Sequence, residues 1–519
     1  MRGAALALLC AAAVLAAPPQ EFDLVVYGGT AGGVITAVSA AREGATVALL
    51  EPRRHLGGMV SGGLGRTDHG KRETIGGMSL EFFERAGKHY AEPITWYFEP
   101  HVAERLFRQM LDEAKVRVFF DHRLKERGGV KKTGARLTEL QMENGARFRA
   151  RIFADATYEG DILPQAKISY TVGRESVQQY GESLAGVRPK DRAHQFDFKI
   201  SAYDDRGKLL PEIQKGPRGE LGAGDRKVQA YNFRMCLSSD KDNQIAFPKP
   251  PGYDPGRFEL LRRLIAALTE KNGKPPIMRQ LFIVSPMPNN KTDINNYGAF
   301  STDYIGKSWD YPDASYKRRA EIWEDHVNYT KGLFYFLAND ASVPESLREE
   351  INRWGLAKDE FTDTENWPHQ LYVREARRMV GDFVMTQKDI QQELTKADVI
   401  GMGSYNSDSH NVQRYVQEDG TVQNEGNMEV AVTPYQVPYR VMLPKRSEAV
   451  NLLVPVCLSA SHVTYSTLRM EPVYMIIGHA AGLAAKMAID GGKAVQDIDT
   501  AALTERLRAQ GAVFKWKAN

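Results

Sequence analysis

The segment that most restricts the fold runs from Phe22 to Glu51. FDLVVY (22–27) is an apolar run of β type that breaks at Gly28-Gly29, and VITAVSAAREG (34–44) is an Ala-rich helical stretch ending at Gly44. TVALL (46–50) is a second strand with Glu51 at its end. Strand, tight turn, helix and strand make a βαβ unit, whose two strands are parallel because the helix carries the chain back across the sheet.

The turn itself, Gly28-Gly29-Thr30-Ala31-Gly32-Gly33, lies where a dinucleotide pyrophosphate binds. There the free N–H groups of a helix start and the helix dipole favour an anion. Thr30 replaces the middle glycine of G-x-G-x-x-G, and its side chain crowds the phosphate approach unless the hydroxyl is engaged elsewhere. Glu51, about 20 residues further on, is placed to accept hydrogen bonds from the adenosine ribose. Gly28, Gly29, Thr30, Gly33 and Glu51 are therefore candidate cofactor contacts.

Beyond this unit, HVAERLFRQMLDEA (101–114) carries a helical apolar stripe and Val116 to Phe120 is strand-like. Two alternating runs around Asn144-Gly145 predict a hairpin whose second arm leads into Asp155-Ala156-Thr157. From about 171 to 430 the chain changes to Pro- and Gly-rich loops between helices, with helices expected over 318–338 and after Ser342, where Glu345 completes a capping box. Regular structure returns in NLLVPV (451–456) and in the apolar helix 472–489. The expected organisation is a leader over 1–17 and a nucleotide-binding domain formed by 20–170 and 431–495. An inserted α+β substrate domain fills 171–430, and 496–519 form a tail.

The leader combines Arg2, an apolar run from Ala4 to Leu15 and the small residues Ala16 and Ala17, the marks of a removed export signal. The run is too short to span a bilayer, and Leu9 before Cys10 is a poor match to a lipoprotein signal. A periplasmic or extracellular location is the expectation. Of the 519 residues, 68 are Lys or Arg and 65 Asp or Glu, scattered for a net charge of +3. No footprint for nucleic acid follows, and none is expected as a partner. Cys236 and Cys457 remain after the leader, with no Cys-x-x-Cys. That argues against a Cys-ligated metal and for two buried thiols; no metal site is expected.

LGGMVSGGLG (56–65) adds a second glycine motif soon after the acid. With it the chain resembles the FAD-dependent oxidoreductases of the glutathione-reductase-like class, and more narrowly a family of FAD-dependent oxidoreductases often found in exported form. The segments that carry this are VVYGGTAGGVITAVSAAREG, HLGGMVSGGLGRTD, DATYEGDILPQA, KTDINN, YVREARRMVGD, NLLVPVCLSASHVTYSTLRMEP and GHAAGLAA. The resemblance implies an α/β, Rossmann-like FAD-binding domain with a β-meander. It also implies FAD contacts at Gly57, Gly58, Met59, Ser61, Gly62 and Asp161, with Arg469 near a helix start facing the flavin.

For catalysis, His462 and His410 lie in loops before or between strands and are candidates for the base that takes a hydroxyl proton, His462 the favoured one. Arg374 heads a charged cluster (374, 375, 377, 378) that reads as a solvated face or as a carboxylate clamp or proton donor. The loop 289–296 is rich in groups suited to sugar hydroxyls. His55 raises covalent flavin attachment, but its spacing differs and non-covalent FAD is expected. The expected activity is hydride transfer between a small polar, sugar-like substrate and flavin N5, with an electron acceptor still to be named. The alternatives are a reductase of activated alkenes and a non-catalytic FAD-containing binding protein.

Overall fold

The computed structural model describes residues 18–517, so the leader and Cys10 lie outside the described residues. β1 (Gln20–Tyr27), α1 (Ala31–Arg42) and β2 (Val47–Leu50) form the expected unit, with Val26 beside Leu49 in parallel register. Two further helices, α2 (Gly77–His89) and α3 (Pro100–Glu113), precede β3 (Arg117–Phe119), which extends the sheet beyond β2. β4 (Val130–Thr133), β5 (Arg136–Gln141) and β6 (Arg147–Asp155) form the meander. The turn at Asn144-Gly145 sets Leu140 opposite Phe148 in the hairpin, and Gly145 takes the left-handed φ of 87° that this turn requires. The strand order is β3-β2-β1-β6-β5-β4.

A second sheet is built within 171–430 from β7 (Met235–Ser238), β8 (Gln244–Ile245), β9 (Phe282–Met287), β10 (Lys291–Asn296) and β11 (Gly355–Ala357), all antiparallel. The helix α4 (Tyr316–Asn339) starts at Ser315, whose hydroxyl accepts the Arg318 N–H at 3.2 Å. The chain then returns to the first sheet through β12 (Leu452–Leu453), parallel to the end of β6. It finishes the site with α5 (His462–Leu468) and α6 (Glu471–Gly491).

α6 explains why a long apolar helix belongs inside. It is the only helix among the described residues long and apolar enough to cross a membrane, and 89% of that stretch is buried. It lies against α1 so closely that a Cβ on Gly478 would stand 2.3 Å from the Gly32 carbonyl oxygen. Small residues let the two backbones approach, and the apolar face is used up in this contact.

Several expectations need correction. Ser342 does not cap a helix; its hydroxyl donates to Asp340 at 2.5 Å, and the helix Glu345–Ile351 begins after Pro344. The expected loop 289–296 is a tight turn at Asn289 and Asn290, both at positive φ, followed by the strand β10. The segment that follows the 374–378 cluster is strand only at Arg378–Met379, with a single further bridge from Met385 to Ala460. Cys236 and Cys457 are buried free thiols, as expected.

Candidate active site

At the glycine turn, Thr30 does not block the cleft. Its hydroxyl donates to the Ala156 carbonyl at 2.7 Å and accepts the Gly33 N–H at 3.1 Å, so the side chain caps α1. The first amides of α1, Ala31 and Gly32, have no acceptor within the helix and remain for an anion. Glu51 accepts the N–H of Gly29 at 2.7 Å and of Arg53 at 2.8 Å. Burial pushes its carboxyl up to about 7 against the pull of those two donors. A cleft opens here, lined by Gly28, Thr30, Glu51, Arg123, Asp161 and Arg319 among others.

The second glycine run is fastened to the first, because the Gly57 N–H donates to the Gly29 carbonyl at 2.7 Å. Ser61 turns back on the Leu56 carbonyl at 2.5 Å, and the Met59 N–H donates to the Tyr158 hydroxyl at 2.9 Å. That hydroxyl donates in turn to Glu471 Oε1 at 2.6 Å, at the first turn of α6. Glu471 is buried, its Oε2 has no partner, and burial raises its carboxyl to about 8. A Cβ on Gly62 would meet Gln370, which lines the cleft, and one on Gly63 would meet the carbonyl of Arg234.

Arg234 lines a second, polar cavity of about 250 Å³. Its walls include Arg66, Asp68, Asn295, Asn296, Tyr372, Asp408 and His410. The glycine run 62–63 thus lies between the nucleotide cleft and this cavity. His410 Nδ1 is 2.7 Å from Asp303 Oδ2, and its N–H donates to Gln229 at 3.0 Å. Burial first and Arg374 second lower its pKa, so the ring is neutral near pH 7. With Nδ1–H given to Asp303, Nε2 carries the lone pair on the ring's other edge.

The family model of FAD dependent oxidoreductase matches residues 23–507. The chain belongs to this family. FAD is accordingly its cofactor, and the residues present fit it: paired glycine turns that a Cβ would fill, open first-turn amides, a buried acid bonded to the first turn and an unpartnered buried oxygen on Glu471. Gly28, Gly29, Thr30, Gly33 and Glu51 would hold its nucleotide end, and the run Gly57, Gly58, Met59, Ser61 and Gly62 would hold the part that follows. When bound, FAD supplies a hydride acceptor or donor at flavin N5.

Among solved structures the chain is similar to Thermovibrio ammonificans THI4, with 20% identity over 30% of this chain and 66% of that one and a TM-score of 0.24. It is also similar to the 3-ketosteroid-delta4-(5alpha)-dehydrogenase of Rhodococcus jostii RHA1, with 16% identity, 30% and 50% coverage and a TM-score of 0.21. The T. acidophilum thioredoxin reductase matches at 18% identity, 27% and 36% coverage and a TM-score of 0.17. The chain spans less than two thirds of each of these proteins. No curated protein matches it.

Within this oxidoreductase the other expected residues separate. Asp161 lines the cleft but is paired with Arg319 at 2.9 Å and Arg377 at 2.8 Å. Arg469 does precede α6, yet it is buried, donating to Asp408 Oδ2 at 3.0 Å and the Tyr372 hydroxyl at 3.0 Å. It forms no surface pair with Glu471. The cluster at 374–378 is not a solvated face either. Arg374 is buried, donating to Ala230 O and Asn232 Oδ1 and paired with Asp303 Oδ1 at 3.3 Å, with Nε left unpartnered, and is absent from the residues lining the cavity.

His462 is the largest displacement from expectation. It opens α5 rather than lying in a loop, with Nδ1 2.8 Å from Glu375 Oε2 and Nε2 3.2 Å from Ser409 Oγ. Burial alone would raise the Glu375 carboxyl, but His462 and Arg378 hold it down at about 2. Both ring nitrogens of His462 are occupied, and it does not line the cavity. His55 stacks on His369 at 3.9 Å and faces Glu104 at 3.0 Å.

Sequence alone does not single out Arg234, Asp303 and Tyr372, and takes Asp293 as one of the hydroxyl-binding groups of 289–296. A signal for its true partner exists: Arg234 interrupts an apolar run before β7, and Asp293 stands inside β10. Lone charges of opposite sign in neighbouring strands are a pairing pattern, and here they form a buried bidentate pair.

Proposed function

We propose that this oxidoreductase oxidises a hydroxyl of a small polar, sugar-like substrate held in the cavity beside the second glycine run, the hydride going to flavin N5. His410 is the base. Asp303 fixes its tautomer, and the bare Nε2 takes the hydroxyl proton as the carbon gives up its hydride. Asn295 and Asn296 on β10 present amides for further hydroxyls. The Asp303–His410 pair at 2.7 Å is the observation that carries this reading. Transfer in the opposite sense, reduction of an activated alkene, would draw its proton from an arginine of the same wall, Arg66 or Arg234.

Anaerobic mixing with a panel of sugars and alcohols, following loss of the oxidised flavin band, tests the direction of transfer. His410→Asn with FAD still bound should slow that loss about 10²- to 10⁴-fold; an unchanged rate would remove His410 from the chemistry. Turnover also requires an electron acceptor. Export belongs to the same proposal, and rests on the composition of the first 17 residues. Intact mass of the secreted protein should begin near Ala17 or Pro18, and a mass retaining Met1 would end it.

A further inference from the structure

We infer that the polar cavity grips its substrate by a carboxylate, through Arg234 and Arg66. This rests on the reading that the cavity is the substrate site. Arg234 is 2% exposed, and its Nε and Nη2 are spent on Asp293 at 2.9 and 2.5 Å. Nη1 is left without a hydrogen-bond partner. Its nearest carboxylate, Asp68 Oδ2, is 3.9 Å away, beyond hydrogen-bond reach. A buried guanidinium with an unused donor, in a cavity wall, is poised for an acceptor that the protein does not itself supply.

Arg66 provides the second arm. Its main-chain N–H donates to Asp293 Oδ2 at 3.1 Å, which fixes its backbone beside the Arg234 pair, and its Nη1 reaches Ser285 Oγ at 3.2 Å. Among the described residues it has no ion-pair partner, and it too lines the cavity. The acids that line the same space are mostly spoken for: Asp408 pairs with Arg469 at 3.0 Å and Glu429 with His194 at 3.2 Å. What remains is a donor surplus at one end, facing amides and His410.

A guanidinium pair suits a planar, singly charged acceptor. A phosphate dianion fits less well, because Asp68, 3.9 Å from Arg234 Nη1, would face its second charge. The substrate class is therefore a hydroxylated carboxylic acid, such as a sugar acid, with the carboxylate at the arginines and the hydroxyl toward His410.

Equilibrium calorimetry on the FAD-loaded protein, using D-glucuronate, D-glucose and D-glucose 6-phosphate as probes, tests this without turnover. Glucuronate should bind at least about tenfold tighter than either. Arg66→Gln, at an exposed position, should reduce that ratio toward one. Because Arg234→Gln alone would strand Asp293, the paired Arg234→Gln/Asp293→Asn protein is the second variant, and it should lose the preference too. Equal or weaker binding of glucuronate, tighter binding of the phosphate, or a preference that survives both changes overturns the inference. Preferred binding of glucuronate without flavin reduction leaves the carboxylate site standing and removes the proposed oxidation instead.

Discussion

The nucleotide cleft and the polar cavity lie on either side of one glycine run, yet they are built in opposite ways. At its glycine turn the cleft takes its donors from main-chain amides, with one acid at the end of the next strand. The cavity takes its donors from side chains at 66, 234, 295, 296 and 410, delivered by a strand of the second sheet and by loops. A site made of backbone tolerates no added atom, because nothing in it can rotate away. One made of side chains can lose a member and keep its shape, so its failures are graded.

Gly33→Ala tests the first half of that contrast and carries the largest expected effect. Its Cβ would stand 2.0 Å from the Gly28 carbonyl oxygen and 2.9 Å from Ala156 Cβ. Relief requires moving β1 or α1, at a cost above the about 1–3 kcal/mol usual for overpacking. The protein should purify without yellow colour and melt early. Retained FAD with an unchanged Tm would show that the turn is softer than its geometry.

The cavity half is sharpened by comparing two histidines. His410→Asn should affect flavin reduction and leave FAD occupancy alone. His462→Asn should do the reverse: the partner carboxylate Glu375 is fully buried, and leaving it short of a donor costs about 1–3 kcal/mol. Thermal melts and reduction rates per bound flavin, taken together, separate them. If His462→Asn slowed reduction at unchanged stability, the roles argued above would be exchanged.

The same contrast governs what could be read from the sequence. The βαβ unit, the Asn144-Gly145 hairpin, the acid Glu51 and the helix over 316–339 are written in local spacing, so residue types alone reveal them. Arg374, Arg377 and Arg378 look solvated because three arginines in five positions ordinarily face water. Their partners, Asp303, Asp161 and Glu175, are distant in the chain, and no local pattern announces them. The choice between His462 and His410 meets a related difficulty. Nearness in sequence to α6 says nothing about which ring reaches the cavity, and Asp303, which orients His410, comes from a loop more than a hundred residues earlier.

Glu471, where the two regions meet, gives a pH test. Its folded pKa of about 8 lies above the ordinary 4.5, so between those values the folded state holds a proton that the unfolded state has lost. Its contribution is therefore fully present below pH 4.5 and is lost as pH rises through 8, with a slope of up to about 1.4 kcal/mol per unit. Glu471→Gln should flatten the fall in Tm between pH 5 and 8. An unchanged profile would mean that the carboxyl is ionised and its Oε2 satisfied in the loaded protein.

The smallest effect is expected at Glu51, because it contributes one side chain beside a turn otherwise made of main chain. Glu51→Ala should weaken FAD binding by about 1–3 kcal/mol, the cost of leaving buried ribose hydroxyls and the Gly29 N–H without an acceptor. The pH dependence identifies the group. Burial holds the empty site's carboxyl near 7, while hydroxyl donors favour the ionised form, so binding should release a proton. Affinity should then rise with pH up to about 7 and level off above it. Glu51→Gln keeps an acceptor but cannot ionise, so it should remove the pH dependence while losing less affinity than the alanine variant. Titration of the FAD-stripped proteins with FAD between pH 5.5 and 8.5, followed by flavin fluorescence, measures both. A wild-type curve as flat as that of the glutamine variant would move the ribose contact away from Glu51 and leave the main-chain amides holding the nucleotide alone.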